Sequence, residues 1–462
     1  MHRVNDVWPD ERYSPQQPPR TGHTTSIGSV GRAYLSLCCR YGSYDSGRLL
    51  QRAIAVCLLW LTCVVAPVSA ENWTRFRGEA GAGISREQGI PKSWSPGEYA
   101  WEIGLPGVGH AAPIVWDDKL FVTSSLEEGA IRLLFCLDAQ SGEQIWSRTT
   151  GLNRSHKHAK GSWASSTPCT DGTRVYVAFA DQEHYTLAAY DFSGELVWRR
   201  NLGPFESQHG QGASPIVYED MVIIPNDQDG PSSVVAFDAA TGRTVWSAVR
   251  QSGRTSYATP MILELPGHEP QLICSGDALG VTSLDPRSGR LNWNSGALPA
   301  RTVGSPVFAG GLIVQSCGGG GVGKFLVGVD PSNNAENRVR YSLDREIPYV
   351  PTPVVYGDHL YLFNDKGVAR CIEADSGKKV WTKRLGGNYS GSAVCIDGTM
   401  YIISEDGEVV VLAAAPQFRL YGKVALDDPS HSTPAVANGR LYFRTFHRLF
   451  CLEAKAASGD IR

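Results

Sequence analysis

The residues best equipped for chemistry in this chain share a position rather than a compact motif. Eight steps of a small residue, usually followed by proline, recur at intervals of 40 to 55 residues. They are Ala112-Pro113, Thr167-Pro168, Ser214-Pro215, Thr259-Pro260, Ser305-Pro306, Thr352-Pro353, Ser392-Ala393 and Thr433-Pro434. Three or four residues ahead of them stand His110, Ala164 and Ser165, Gln211, Tyr257, Val303, Tyr349, Tyr389 and His431, with Trp163, His209 and Arg301 close by. Imidazoles, an amide, a guanidinium and aromatic faces around one opening bind small planar or sugar-like ligands, or anchor a partner's loop. The plainer alternative is ring packing with incidental histidines.

Other candidates carry less. His156-Lys157-His158 sets two imidazoles on one face of an extended segment, as zinc would need. No Cys, Asp or Glu nearby completes a ligand set, so a solvated loop is expected. Asn226-Asp227-Gln228-Asp229-Gly230 resembles the start of a calcium loop, but Phe237 stands where the distal Glu belongs. Ser275-Gly276-Asp277, Asn364-Asp365-Lys366-Gly367 and Glu405-Asp406-Gly407 fill the same slot elsewhere, which points to a hairpin turn. The chain has no GxSxG elbow, HExxH helix or phosphate loop, so neither catalytic residues nor a metal are expected.

The elements that position these residues follow from a second repeat. Asp138 to Trp146, Asp191 to Trp198, Asp238 to Trp246, Asp285 to Trp293 and Glu373 to Trp381 each read acid, Ser/Thr-Gly turn, then a short strand ending in Trp. Ser/Thr-Gly is hairpin chemistry, and the acid can accept hydrogen bonds from the turn N–H groups. The indole is most useful wedged between neighbouring sheets. A lone sheet cannot cover both its faces, so each unit needs a neighbour and the array closes into a ring. Eight small-residue steps predict an all-β, eight-bladed propeller of four-stranded antiparallel blades, in which the pre-proline slots enter the innermost strands near the axis. Tyr341 and Tyr421 stand where the fifth and seventh blades lack the Trp. The last blade runs out near Leu449–Glu453 without an outer strand, and Trp101 has no blade of its own. Residues 99–103 are therefore expected to pair with the strand near Cys451 and close the ring.

The acid-x-x-Ser/Thr-Gly-x-x-x-Trp repeat resembles the tryptophan-docking motif of pyrroloquinoline-quinone (PQQ) type propellers, which include quinoprotein dehydrogenases and the assembly lipoprotein BamB. The likeness runs from about Asn72 to Glu453. The opening Asn72-Trp73-Thr74-Arg75-Phe76-Arg77-Gly78 and the stretch Ile403–Glu408 are similar to secreted PQQ-like propellers of planctomycete type. For the dehydrogenases the resemblance implies a cofactor on the axis, under a disulfide between adjacent cysteines and beside a calcium ion. The only adjacent pair here is Cys38-Cys39, in the leader, so no cofactor is expected and PQQ with calcium is the alternative. The expected function is a binding or scaffold module for a protein partner, a small ligand or a glycan. A PQQ-dependent alcohol or sugar dehydrogenase and a polysaccharide-binding protein are the alternatives.

Composition agrees with a large β core: 462 residues, 42% apolar, with 50 Gly and 27 Pro. The net charge of −3 leaves no basic surplus for nucleic acid. Arg48 and Arg52 precede an apolar run, Ala53 to Ala66, and Val68-Ser69-Ala70, the pattern of a secretory signal over 48–70. Residues 1–47 read as a disordered or misassigned extension, 71–98 as a lead-in, 99–454 as the propeller and 455–462 as a tail. A monomer outside the cytoplasm, with no membrane span after signal cleavage, is expected. Cys136, Cys169, Cys274, Cys317, Cys371, Cys395 and Cys451 read as small buried hydrophobes.

Overall fold

Each repeat folds as one four-stranded antiparallel blade, and eight such blades make the propeller, one of them extended by a fifth, parallel strand. The computed structural model describes residues 71–455, apart from 320–322 and 333, so the expected extension, signal and tail lie outside the described residues, Lys455 excepted. Blades one to seven span residues 114–151, 169–201, 216–250, 261–294, 307–343, 354–384 and 394–425. Blade eight combines residues 435–453 with Trp101–Gly104. In every blade the first strand is two or three residues long, and first strands touch between blades eight and one, two and three, five and six, and six and seven. The middle strands are buried on both faces, as in Met221–Asn226 and Thr399–Ile403, because each sheet is sandwiched between two others.

Closure occurs where the orphan Trp101 required it. Trp101 pairs with Cys451, Glu102 with Phe450, Ile103 with Leu449 and Gly104 with Arg448, antiparallel. The last blade thus takes its outer strand from the N-terminal side, and its edge is covered.

The docking geometry is specific. Trp146, Trp198 and Trp246 donate their indole N–H to the carbonyls of Phe192 (2.9 Å), Ala239 (2.9 Å) and Pro286 (3.1 Å), each the residue after the next blade's acid. Trp101 does the same to Ala139 (3.3 Å), Trp381 reaches Ala415 (3.1 Å), and the Tyr341 hydroxyl reaches Ala374 (3.1 Å). The acid organises the turn: Asp238 Oδ1 accepts from the Thr241 N–H and hydroxyl, which holds its carboxyl below the usual range. Asp138, Asp191 and Asp285 accept equivalent bonds. Gly242 meets two demands, a φ of 67° and contact with the indole, since an added Cβ would lie 2.5 Å from Trp198.

Two blades depart from the rule. Trp293 cannot reach the irregular fifth-blade turn at Asp330-Pro331, so Gln271 bridges: it accepts from the indole (3.0 Å) and donates to the Pro331 carbonyl (3.3 Å). In blade seven, Tyr421 lies beneath the Lys92 ammonium (5.0 Å), and Trp94 of the lead-in stacks on Phe443 of blade eight (5.6 Å, 17°).

The small residue of each step does more than make room for proline. The N–H of Ala112 donates to the Thr167 hydroxyl, Thr167 to Ser214, Ser214 to Thr259, Thr259 to Ser305, Ser305 to Thr352, Thr352 to Ser392 and Ser392 to Thr433, at 2.9–3.3 Å. Seven links of one polarity encircle the axis and stop at Ala112, which has no hydroxyl. The seven cysteines among the described residues are buried and unpaired.

Candidate functional site

The segment expected as a lead-in forms a strap across one end of the axis. Trp73 bridges Val115 of blade one and is fully buried, and the Thr74 carbonyl accepts from Thr170 of blade two. Arg75 donates to the Pro260 carbonyl (2.6 Å); Arg77 donates to carbonyls of Thr352 (3.1 Å), Pro353 (2.7 Å) and Ala393 (3.3 Å), and to its own turn at Gly81 and Ala82. Desolvation lowers these guanidinium pKa values to about 10 and about 9. Ile84–Ser85 then pairs in parallel with the innermost strand of blade seven. An arginine-rich strap suits this place because main-chain carbonyls at the ends of the inner strands converge there, and a guanidinium has five donors to satisfy them.

Above the strap lies a cavity of about 1040 Å³, with Phe76 in its lining. Its wall includes the hydroxyl ring and six of the eight site residues singled out from the sequence: His110, Gln211, Tyr257, Arg301, Tyr349 and His431. Trp163 and Tyr389 are corrections. Tyr389 is 1% exposed and packs in the apolar cluster with Phe363, Leu385 and Ile402. Blade seven has Ser392-Ala393 without proline, and the preceding Gly386-Gly387 turns the chain so that the ring enters the core. Trp163 turns to the insertion between blades one and two: its indole donates to the Ser155 carbonyl (2.7 Å) and its ring lies under the Lys157 ammonium (4.9 Å).

That insertion forms part of the cavity wall. The His158 N–H donates to the His209 carbonyl (3.4 Å), Lys160 pairs with Glu405 of blade seven (2.6 Å), and the Lys160 carbonyl meets His431 Nδ1 (3.1 Å). Two imidazole pairs result, His110–His431 with centroids 4.6 Å apart and His158–His209 at 4.7 Å. Burial holds His110 well below its ordinary range, with His431 and Arg444 adding to the effect. Burial also lowers His431, and burial followed by Arg301 lowers His209. Burial pushes Tyr257 up to about 12 and raises Tyr349, so both hydroxyls stay protonated donors at neutral pH.

Sequence reasoning did not place Phe76, His158, Lys160, Asp229, Arg254, Lys324 or Asp365 at the axis, where all of them line the cavity. A signal existed for the acids. They occupy the repeated turn slot, and there they clamp the loops that carry the wall residues. Asp365 accepts from the N–H groups of Tyr349 (2.9 Å) and Val350 (3.2 Å), and Asp229 from those of Thr255 (2.7 Å) and Gln208 (2.9 Å). In the Asn226–Gly230 segment Asp227 pairs with Arg250 at 2.7 Å, both side chains 3% exposed.

A ring of docked four-stranded blades around a walled axis defines a PQQ-type propeller. The chain belongs to the family described as outer membrane protein assembly factor BamB, whose model matches residues 132–367, 342–417 and 365–460. Among solved structures, a europium-containing methanol dehydrogenase superposes with a TM-score of 0.64 at 11% identity, over 83% of this chain and 98% of that one. BamB from Moraxella catarrhalis gives 0.54 at 17% identity, over 77% and 99%. In sequence, tetrathionate hydrolase of Acidithiobacillus ferrooxidans is 23% identical over 290 residues, 58% of this chain. The match spans about half, 52%, of that hydrolase.

Proposed function

We propose that the protein is a binding module working as a monomer outside the cytoplasm, and that its recognition site is the axial cavity. The observation that carries this reading is a cavity of about 1040 Å³ above a strap, with imidazole, phenol, amide and guanidinium groups in one wall. Its size and mixed lining suit a small polar ligand, a glycan end or the tip of a partner's loop.

The residues present do not fit PQQ with calcium. The cavity carboxylates Asp229 and Asp365 are already engaged by main-chain N–H groups, and Asp365 also pairs with Lys324 at 2.6 Å. Every described cysteine is buried in a sheet, and no group of three or more metal-ligating side chains forms among the described residues. No catalytic step is derived through that cofactor.

The test is a melting-temperature titration with cellotetraose and, separately, with PQQ plus calcium. A ligand that binds the native cavity raises Tm by mass action. The shift is expected to vanish in the Tyr349→Ala/His431→Ala double variant, whose own Tm stays near wild type. A shift with PQQ and calcium, accompanied by dye-linked alcohol oxidation, overturns the reading in favour of a dehydrogenase. The likeness to a tetrathionate hydrolase favours a second reading, hydrolysis of a sulfur oxyanion in the same cavity. Loss of tetrathionate on incubation, followed by chromatography, checks it.

A further inference from the structure

Seven arginines among the described residues are 9% exposed or less. Six find a protein acceptor that explains their burial. Arg75, Arg77, Arg132, Arg370 and Arg444 donate to main-chain carbonyls, and Arg250 pairs with Asp227. Arg301, at 8% exposure, is the exception. It lies in the cavity wall; its Nε–H is unpartnered, as in four of the other six, but unlike all of them it has no carbonyl or carboxylate accepting from its guanidinium. Its neighbours are the face of Tyr257, 5.9 Å from the guanidinium carbon, and the hydroxyl of Tyr349. Asp229 feels its charge, but both carboxylate oxygens are committed to Thr255 and Gln208. A buried guanidinium with no carbonyl or carboxylate bonded to it is costly, and its planar fork matches the geometry of an oxyanion.

We propose that Arg301 anchors an oxyanion, so that the ligand of the axial cavity carries a carboxylate or a sulfo group. This rests on the reading of the cavity as the ligand site and deepens it. Tyr257 fixes the guanidinium plane from one side. Tyr349, beside the guanidinium, keeps its own proton to donate to the anion. Lys324 is already neutralised by Asp365, while Arg254 is exposed and adds charge at the surface of the cavity.

The experiment compares glutarate and thiosulfate with sodium chloride of equal ionic strength, by thermal melting and calorimetry. At least one anion is expected to raise Tm, and Arg301→Gln to weaken its binding tenfold or more. Arg345→Gln, exposed and outside the cavity, should change it no more than threefold. Because Arg301→Gln risks misfolding, phenylglyoxal labelling of the wild-type protein gives an independent readout. The same anion should slow adduct formation on the peptide holding Arg301 several-fold. No shift with either anion, or protection that falls on Arg254 instead, overturns the proposal. A response to glutarate alone assigns a carboxylate, and to thiosulfate alone a sulfo group. If neither anion acts while cellotetraose still does, the oxyanion assignment fails and the cavity reading stands; if all three fail, both fall.

Discussion

A tryptophan that merely filled space between blades would tolerate phenylalanine. These indoles also donate to a carbonyl of the next blade, so two losses separate. Trp246→Phe should cost about 1 kcal/mol for the hydrogen bond, and Trp246→Ala about 3–5 kcal/mol with the cavity included, both read from urea melts. Equal costs for the two variants would mean that the bond to Pro286 contributes nothing. The histidines give a pH dependence with a definite sign. His110, His431 and His209 are held below the ordinary imidazole value of about 6.5, so in this window the unfolded chain binds more protons than the folded one. Stability should therefore fall as pH drops below about 6.5, and the Tm slope between pH 7 and 5 should flatten in His110→Gln/His431→Gln. At this scale the sequence was legible where one side chain repeats with one neighbour: acid, glycine and Trp meet wherever the next blade carries the same turn. It was illegible where the slot is constant and the backbone is not. Tyr389 shares its slot with Tyr349, yet a Gly-Gly turn and a missing proline send it into the core.

Among elements, the hydroxyl ring explains why the small residue of each step is so often Ser or Thr, which the proline alone did not. Its N–H donors run in one direction and the run ends at Ala112. Ala112→Ser supplies the missing acceptor opposite Thr433 with the least added bulk. A stabilisation of about 0.5–1.5 kcal/mol is expected, measured by chemical denaturation. A loss of stability would show that this buried position has no room for an oxygen. The closure strand makes a sharper claim. Removing residues 71–103 takes away both the strap and the partner of Arg448–Glu453, and the bared edge should drive aggregation, visible by light scattering. A monomeric truncation with unchanged Tm contradicts the pairing's importance. The closure was foreseeable because Trp101 was one docking residue too many. The strap was not, since Asn72–Gly78 carries no strand period; its arginines answer to carbonyls that exist only once the ring has formed.

For the molecule as a whole, the seam between blades eight and one has consequences in time. The strap and the closure strand leave the ribosome before any blade, yet their partners lie far downstream: Arg77 bonds residues 275 and 316 positions away, and Glu98 pairs with Lys455, 357 positions away. Blades one to seven can assemble in order as they are made, each from local hairpins, while Trp101–Gly104 waits for its strand partner and Trp94 for Phe443 of blade eight. The first part of the propeller to be synthesised is thus the last to be seated. Completion of the axial cavity is a late event, signalled by the arrival of the C-terminal strand and not by the folding of any single blade.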